Sequence, residues 1–600
     1  RKADLRLDVR DDALSLKAFV PGNPEASTAI SRILSSDDAT RMPPPESHRE
    51  LTRAQTLLLE RWVRDGAIYQ KHWAYETPVR PDVPADRHAV DYLIEQRLKQ
   101  RAITAAPEAD RRTLIRRVFL DLTGMPPTSE QVRAFQNDQS PQTWNTVVEQ
   151  CLSSPHFGER MAVDWLDVVR FADTIGYHSD VPRNVWPYRD WVIRSFNENK
   201  PFDRFTREQI AGDLLPDADQ ESRIGSAFNR LVQSTEEGGA QPKDYESRML
   251  ADRVRAIGTV WLGQTTGCAQ CHDHKFDPFT IRDFYSLGAF FADIDERPVG
   301  ARGPGMPVAD TQQQAILTRL QTRVQETQTA SDATVRSAAE TELKDFLATL
   351  PHCLVTSRTT QPRTVRMLPR GNWMDESGEV MRAAVPHYLP QPAIEGREPD
   401  RRDLADWLVS PNNPLTARTV MNRLWKQFFG SALSRNPADL GTQGEMPTNP
   451  ELLDWLATEF VQSGWNVKQM IRIIVTSEAY RRSSITTPEH LQADPENREF
   501  ARQNRFRLDG EFIRDQALMV SGLLSPKIGG PSVKPYQPAG YWENLNFPAR
   551  DYVPDSGPDQ HRRGLYTWWQ RTFLHPAMVA FDAPNRDECT AERARSNIPQ

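Results

Sequence analysis

Apolar side chains recurring every three or four residues constrain this chain more than any other feature of it. Leu250, Val254, Ile257 and Trp261 fall on one helical stripe, and Leu452, Leu453, Leu456 and Phe460 on another. That spacing buries one face of a helix and does not suit the two-residue period of a strand. The caps agree with it. Thr52 and Gln55 fit a capping box for a helix on which Leu58 and Trp62 share a face and which Gly66 ends; Asn449 and Pro450 open a helix that Gly464 stops. The expected fold class is mainly α: a multidomain helical protein with a small β-rich insert.

At 600 residues the chain has room for roughly three or four domains. A small N-terminal piece, 1–74, precedes a linker marked by prolines at 78, 81 and 84. A dense helical region is expected over 86–296. A polar helical hairpin over 310–350 and a β-rich insert over 352–390 follow, the insert marked by short alternation at Thr364, Val365 and Arg366 and a turn at Gly371-Asn372. A C-terminal helical domain is expected over 400–600, incomplete at its end, with a long ordered loop at 528–540. No stretch approaches the roughly 18 consecutive apolar residues of a bilayer-crossing helix, and mean hydropathy is -0.63. No membrane span is expected. A formal net charge of -7 gives no basic field, so nucleic acid is not an expected partner.

Gly267-Cys268-Ala269-Gln270-Cys271-His272 contains CxxCH, the attachment signature of a c-type haem. Two cysteines three apart reach the two thioether positions of one porphyrin, and the histidine that follows is placed under the iron. Accidental matches are expected about once in a thousand chains of this composition. Zinc is the main competitor, because Cys, Cys and His are also its ligands and His274 lies two residues on. A closed zinc site normally needs a fourth ligand and a second Cys/His pair, which Cys353 and Cys589 do not offer. A thioredoxin-like redox pair lacks its βαβ context, and a purely structural loop is the remaining reading.

The residues around this motif carry a family resemblance. Arg170-Phe171-Ala172-Asp173, Trp186-Pro187-Tyr188-Arg189-Asp190-Trp191, Gln209-Ile210-Ala211-Gly212-Asp213 and the run from Cys268 to Pro278 resemble the planctomycete-type cytochrome c domain proteins. Asn413-Pro414-Leu415-Thr416-Ala417-Arg418, Gly441-Thr442-Gln443-Gly444-Glu445 and 528–540 look like the C-terminal domain of unknown function in the same family. The resemblance implies this architecture and a c-type haem, with no reaction assigned to either large domain. Residues 1–8 and 41–67 resemble the tail half of a small cytochrome c domain, in which Met42 would be the distal iron ligand. No CxxCH precedes Met42, so the attachment site of that domain is expected upstream of Arg1.

The expected cofactor is covalent haem c on Cys268 and Cys271, with His272 on the iron. His178 is a candidate sixth ligand, set against the ordinary reading of a solvent-facing loop histidine. His274 suits a haem propionate or ordinary packing. Asp173 to Asp180 and Glu236 to Gly239 are expected to line the haem cavity, with Asp273 and Asp277 beside the motif as further carboxylates for acid-base work or Ca²⁺ and Trp165, Trp186, Trp191 and Trp261 packing around the haem. The preferred function is haem-binding electron transfer with a redox partner protein. A haem-dependent oxidoreductase with an open iron site, acting on carbohydrate, is one alternative; a non-haem metal hydrolase or binding protein is another. Thioether attachment takes place on the exported side of a membrane, so a periplasmic or otherwise exported location is expected.

Overall fold

The structure, a computed structural model, describes residues 5, 7, 9–328, 333–543 and 550–596; most of the 1–8 segment singled out above lies outside them. The chain divides into two compact units, Arg1–Glu76 and Thr77–Gln600. Both are helical, as the apolar spacing predicts.

In the first unit, helices Arg10–Ser15, Thr28–Ile33 and Arg53–Arg64 enclose a core of Ala13, Ala18, Phe19, Ile30, Val63 and Ala67. The Thr52/Gln55 capping box is present. The inward face differs by one position from the expected one: Leu58 is exposed, and Leu59 and Trp62 pack on the core. The Trp62 indole stands edge-on to Phe19 and donates to the carbonyl of Ile68. The Met42 side chain is exposed.

In the second unit, helices His156–Val168, Trp186–Asn197, Phe202–Ala211 and Pro242–Ile257 surround an aromatic core. Trp191 stacks on Phe205 with centroids 4.9 Å apart. Trp261 meets Trp165 and Phe228 edge-on and donates to Thr206 Oγ1 at 3.0 Å. Trp165 and Tyr188 both reach Gln209 Oε1. The Trp165 and Trp261 indoles and the Tyr188 phenol are buried with polar partners, while the Trp191 indole nitrogen is buried without one. Three of the four tryptophans assigned to haem packing, Trp165, Trp191 and Trp261, therefore pack against one another and the surrounding protein.

Residues of 400–600 complete this core. Asn449 accepts from Leu452 N at the start of Pro450–Gln462, and Leu452, Leu453, Leu456 and Phe460 are buried, as their spacing predicts. Phe460 and Trp465 pack on Phe202. Helices Thr311–Gln328 and Ala333–Thr349 form the polar hairpin, with a small cluster of its own around Leu317, Phe346 and Leu350. Strand content in the insert is slight. His352–Cys353 pairs antiparallel with Met306–Pro307, and single bridges join Ile294 to Arg358 and Arg366 to Val380.

Buried ion pairs lock the halves of this unit. Glu159 accepts from Arg563 Nη1 and from the Tyr566 hydroxyl, each at 2.6 Å, and lies 2.6 Å from His156 Nδ1. Arg563 Nε reaches Asp515 at 2.6 Å. Arg401 bridges Asp213 and Asp293, and Asp167 holds Arg586 and Arg593. Burial by itself raises the pKa of Glu159, but the Arg563 guanidinium and the hydrogen bonds outweigh it and hold the carboxyl at about 2. Burial likewise opposes the Arg253 guanidinium at Glu296, which is also held at about 2. Both values are depressed, so the stability they contribute is present above the unfolded value of 4.5 and is lost as pH falls from there toward 2. Removing one member of a buried pair leaves the other charge unpaired. Arg563→Ala is expected to cost about 3–5 kcal/mol in urea unfolding at neutral pH, with the difference from wild type shrinking in acid as Glu159 protonates. A loss under about 1 kcal/mol would mean that the pair does not hold the halves together.

Candidate functional site

The CxxCH sequence sits where a long helix ends. Pro242–Ile257 runs into a π-helical turn, Gly258–Leu262, which Gly263 closes at φ 56°. Such turns insert an extra residue and recur at functional sites. The C-terminal segment fixes this one. Arg423 donates to the carbonyls of Val260 and Thr259, and Leu440 N donates to Gly263 O at 2.7 Å. A short 3-10 turn, Gly267–Gln270, then carries the motif.

Ala269 is fully buried and anchors the turn, which turns Cys268, Cys271 and His272 outward; all three are exposed. The other thiols differ. Burial pushes Cys151 and Cys353 up to about 12, and Cys589, among Arg170, Asp252, Arg423 and Arg255, up to about 11. A thiol so shifted stays protonated at neutral pH and is a poor nucleophile. The exposed sulfurs are those of the motif.

His272 Nδ1 lies 2.7 Å from the carbonyl of Asp273. A carbonyl only accepts, so Nδ1 carries the proton, and in the neutral ring Nε2 is the bare nitrogen. A metal-binding imidazole is usually oriented in this way. The Asp273 carboxylate accepts from Ile281 N at 3.0 Å, in the first turn of helix Ile281–Ala289. That contact ties the loop to the helix behind it. The Tyr285 hydroxyl of this helix donates to Gln270 O at 2.9 Å.

His274 takes the packing option. It is buried, and its Nδ1 accepts from Asp277 N at 3.0 Å. Asp277 in turn accepts from Thr442 N at 2.8 Å. His178 is 65% exposed and pairs through Nδ1 with Glu237 at 3.0 Å. The structure thus brings the His178 segment to the 236–239 loop, while the motif's neighbours are Tyr285, Arg255 and the turn at 369–372. Asp173 and Asp180 are buried and serve the fold. Asp173 accepts from Ser532 Oγ and Trp569 N, and Asp180 from Gly176 N and from both the N–H and the hydroxyl of Thr572. Among the described residues, no group of three or more His, Cys, Asp or Glu side chains is disposed to hold a metal ion.

Sequence reasoning reads Gly371-Asn372 as a turn but does not connect it with the motif. Gly371 has φ 71°, and a Cβ there would lie 2.8 Å from Cys271 Sγ. No local signal announces a contact across a hundred residues. The donor set fits a c-type haem, with two accessible thiols and a directed imidazole. Cys268, Cys271 and His272 are exposed and line none of the cavities around Arg160, Tyr285 and Thr341, so the fit is to a group seated on the surface. Gly371→Ala is expected to cost about 1 kcal/mol through its left-handed backbone and to slow alkylation of Cys271 relative to Cys268. Equal alkylation rates in variant and wild type would show that the turn does not cover that sulfur.

Three family models match the chain. One described as planctomycete cytochrome C covers residues 1–46. One described as a protein of unknown function (DUF1549) covers 89–296, and another so described (DUF1553) covers 400–600. Comparison with curated proteins and with solved structures returns no match.

Proposed function

Because the chain belongs to the planctomycete-type cytochrome c domain proteins with the associated central and C-terminal domains of unknown function, we propose that it carries a covalent haem on its central region and exchanges electrons with a redox partner. The observation that carries this reading is the exposed turn at 268–272, with two accessible thiols and an imidazole whose Nδ1 is bound to Asp273 O. The haem, when bound, supplies reversible one-electron chemistry.

The chain's own residues do the rest. Cys268 and Cys271 would hold the group through two thioether links, which need no net redox change because each is an S–H addition to a vinyl group. His272 would offer Nε2 to the iron, its ring oriented by the contact of Nδ1 with the Asp273 carbonyl. Ala269, Tyr285 and Asp273 fix the turn against the helices behind it. A group held on an exposed turn would be accessible to a partner, which suits outer-sphere transfer and would leave its potential sensitive to water. Thioether attachment also places the protein on the exported side of a membrane in this reading. Among the described residues no helix is long and apolar enough to cross a membrane.

Protein made together with a c-type haem maturation system is expected to exceed the apo chain by the mass of one haem and to keep it through acid-acetone extraction. The Cys268→Ser, Cys271→Ser double variant should have the apo mass. His272→Ala should retain the covalent group but change the iron spectrum. Equal masses with and without maturation would reject the proposal.

A further inference from the structure

Behind the loop that carries Ser234 and Thr235, Arg183, Arg230 and Arg302 lie within electrostatic reach of one another, and among the described residues a single carboxylate, Glu296, comes within ion-pair distance of any of them. Arg183 and Arg230 are 5% and 6% exposed. Arg183 directs its terminal nitrogens at the carbonyls of Arg230 and Val232, at 2.8 and 2.7 Å, and leaves Nε unpartnered. Arg230 gives Nη1 to Asp295 O, and its Nε is also without a hydrogen bond. Arg302 gives Nη2 to Arg297 O, while its Nε and Nη1 are buried and unpartnered.

Among the described residues the ion pairs open to these three reduce to one, Arg230 with Glu296 at 4.0 Å. Glu296 is already bound to Arg253 at 2.7 Å and pairs with Arg363 at 3.5 Å. A guanidinium stays charged in a protein, and several buried like charges with unmet N–H groups call for a counter-charge. The titration directions agree. Burial first, then Arg571, Arg302 and Arg230, drive Arg183 well below its usual value. Burial and then Arg230 push Arg302 down to about 10.

The segment bearing Arg302 is built to adjust. Gly300 N holds it to Thr235 O at 2.9 Å, while Gly300, at φ 95°, and Gly303 both face open space where a Cβ would lie. We propose that Arg183, Arg230 and Arg302 form a binding site for a tetrahedral oxyanion, phosphate or sulfate, held free or as the ester group of a larger molecule. Four unpartnered N–H groups, the Nε of Arg183 and of Arg230 and the Nε and Nη1 of Arg302, arrive from separate chain segments and suit four oxygens sharing up to two charges. A planar carboxylate matches a single fork. The site uses none of the residues assigned to the haem, so it stands or falls separately.

Titration calorimetry of the full chain at constant ionic strength tests the site with sodium phosphate, sodium sulfate, phenyl phosphate, phenyl sulfate and acetate. Saturable binding of one tetrahedral anion per chain is expected, with acetate about tenfold weaker or more. Arg302→Gln should weaken that binding about tenfold or more, and Arg302→Lys, which keeps the charge and loses the fork, should fall between. Arg336→Gln, on the exposed hairpin, should bind as wild type does. Without anion, Arg302→Gln should not lower Tm, since it removes an uncompensated cation; a merely structural arginine would lower it. Binding of the phenyl esters as tightly as the free ions would assign the site to an ester group, and binding of the free ions alone would assign it to a counter-ion. Absence of saturable heat, or equal affinity in wild type and Arg302→Gln, would overturn the proposal.

Discussion

The Glu159–Arg563 pair and the groups around it set the terms for the larger unit. Glu159 lies on a helix of the central region, and Arg563 follows the irregular C-terminal loop by only a short stretch of chain. Each is buried, and neither charge is tolerable there alone. Arg563 also holds Asp515, and Tyr566 reaches from Glu159 to Gly529 N. The loop at 528–540 therefore owes its order to side chains more than to backbone ladders: Gly530 N donates to Asp190, and Ser532 to Asp173. Such contacts specify one arrangement of the halves, because any slip would strand a carboxylate or a guanidinium.

The motif turn depends on the same interlock. Its base is a π-helical turn whose carbonyls are held by Arg423, and its far side rests on Asp277, which is held by Thr442. Both supporting residues come from the C-terminal segment. In the proposed function a ligand on a short loop is useful only if the loop is rigid, since outer-sphere transfer depends on the iron environment changing little between oxidation states. The supports of this turn come from a region that would contribute no ligand. That gives the C-terminal segment a physical reason to accompany the central one.

Much of the helical architecture was legible because it is local. The stripes at 250–261 and 452–460 report their own burial, and Thr52, Asn449 and Pro450 act within a few residues of themselves. The motif is local too, six consecutive residues that form the exposed turn carrying the proposed haem. Its surroundings are not. Asp173 and Asp180 read as site carboxylates from sequence, yet they accept hydrogen bonds from Ser532, Trp569 and Thr572, partners nearly four hundred residues away. The tryptophans near the motif are similarly taken up by Phe205, Thr206 and Gln209. The β-rich reading of 352–390 came from Val, Thr and Arg alternation, and most of that segment is extended chain lying against helices. Residue types that favour strands also suit such packing. The arginines at 183, 230 and 302 gave no pattern in sequence, because they come from separate segments, Arg230 from the end of the 3-10 helix Ser226–Arg230 and the other two from loops.

The central claim is that the turn at 268–272 holds a thioether-linked haem with His272 on the iron. A pyridine haemochrome spectrum with a parallel iron determination tests it most directly, because saturation of the two vinyl groups shifts the reduced absorption band away from that of non-covalent haem. The account predicts the c-type band and one iron per chain of this sequence. A band of the non-covalent type, or zinc in place of iron, would contradict it.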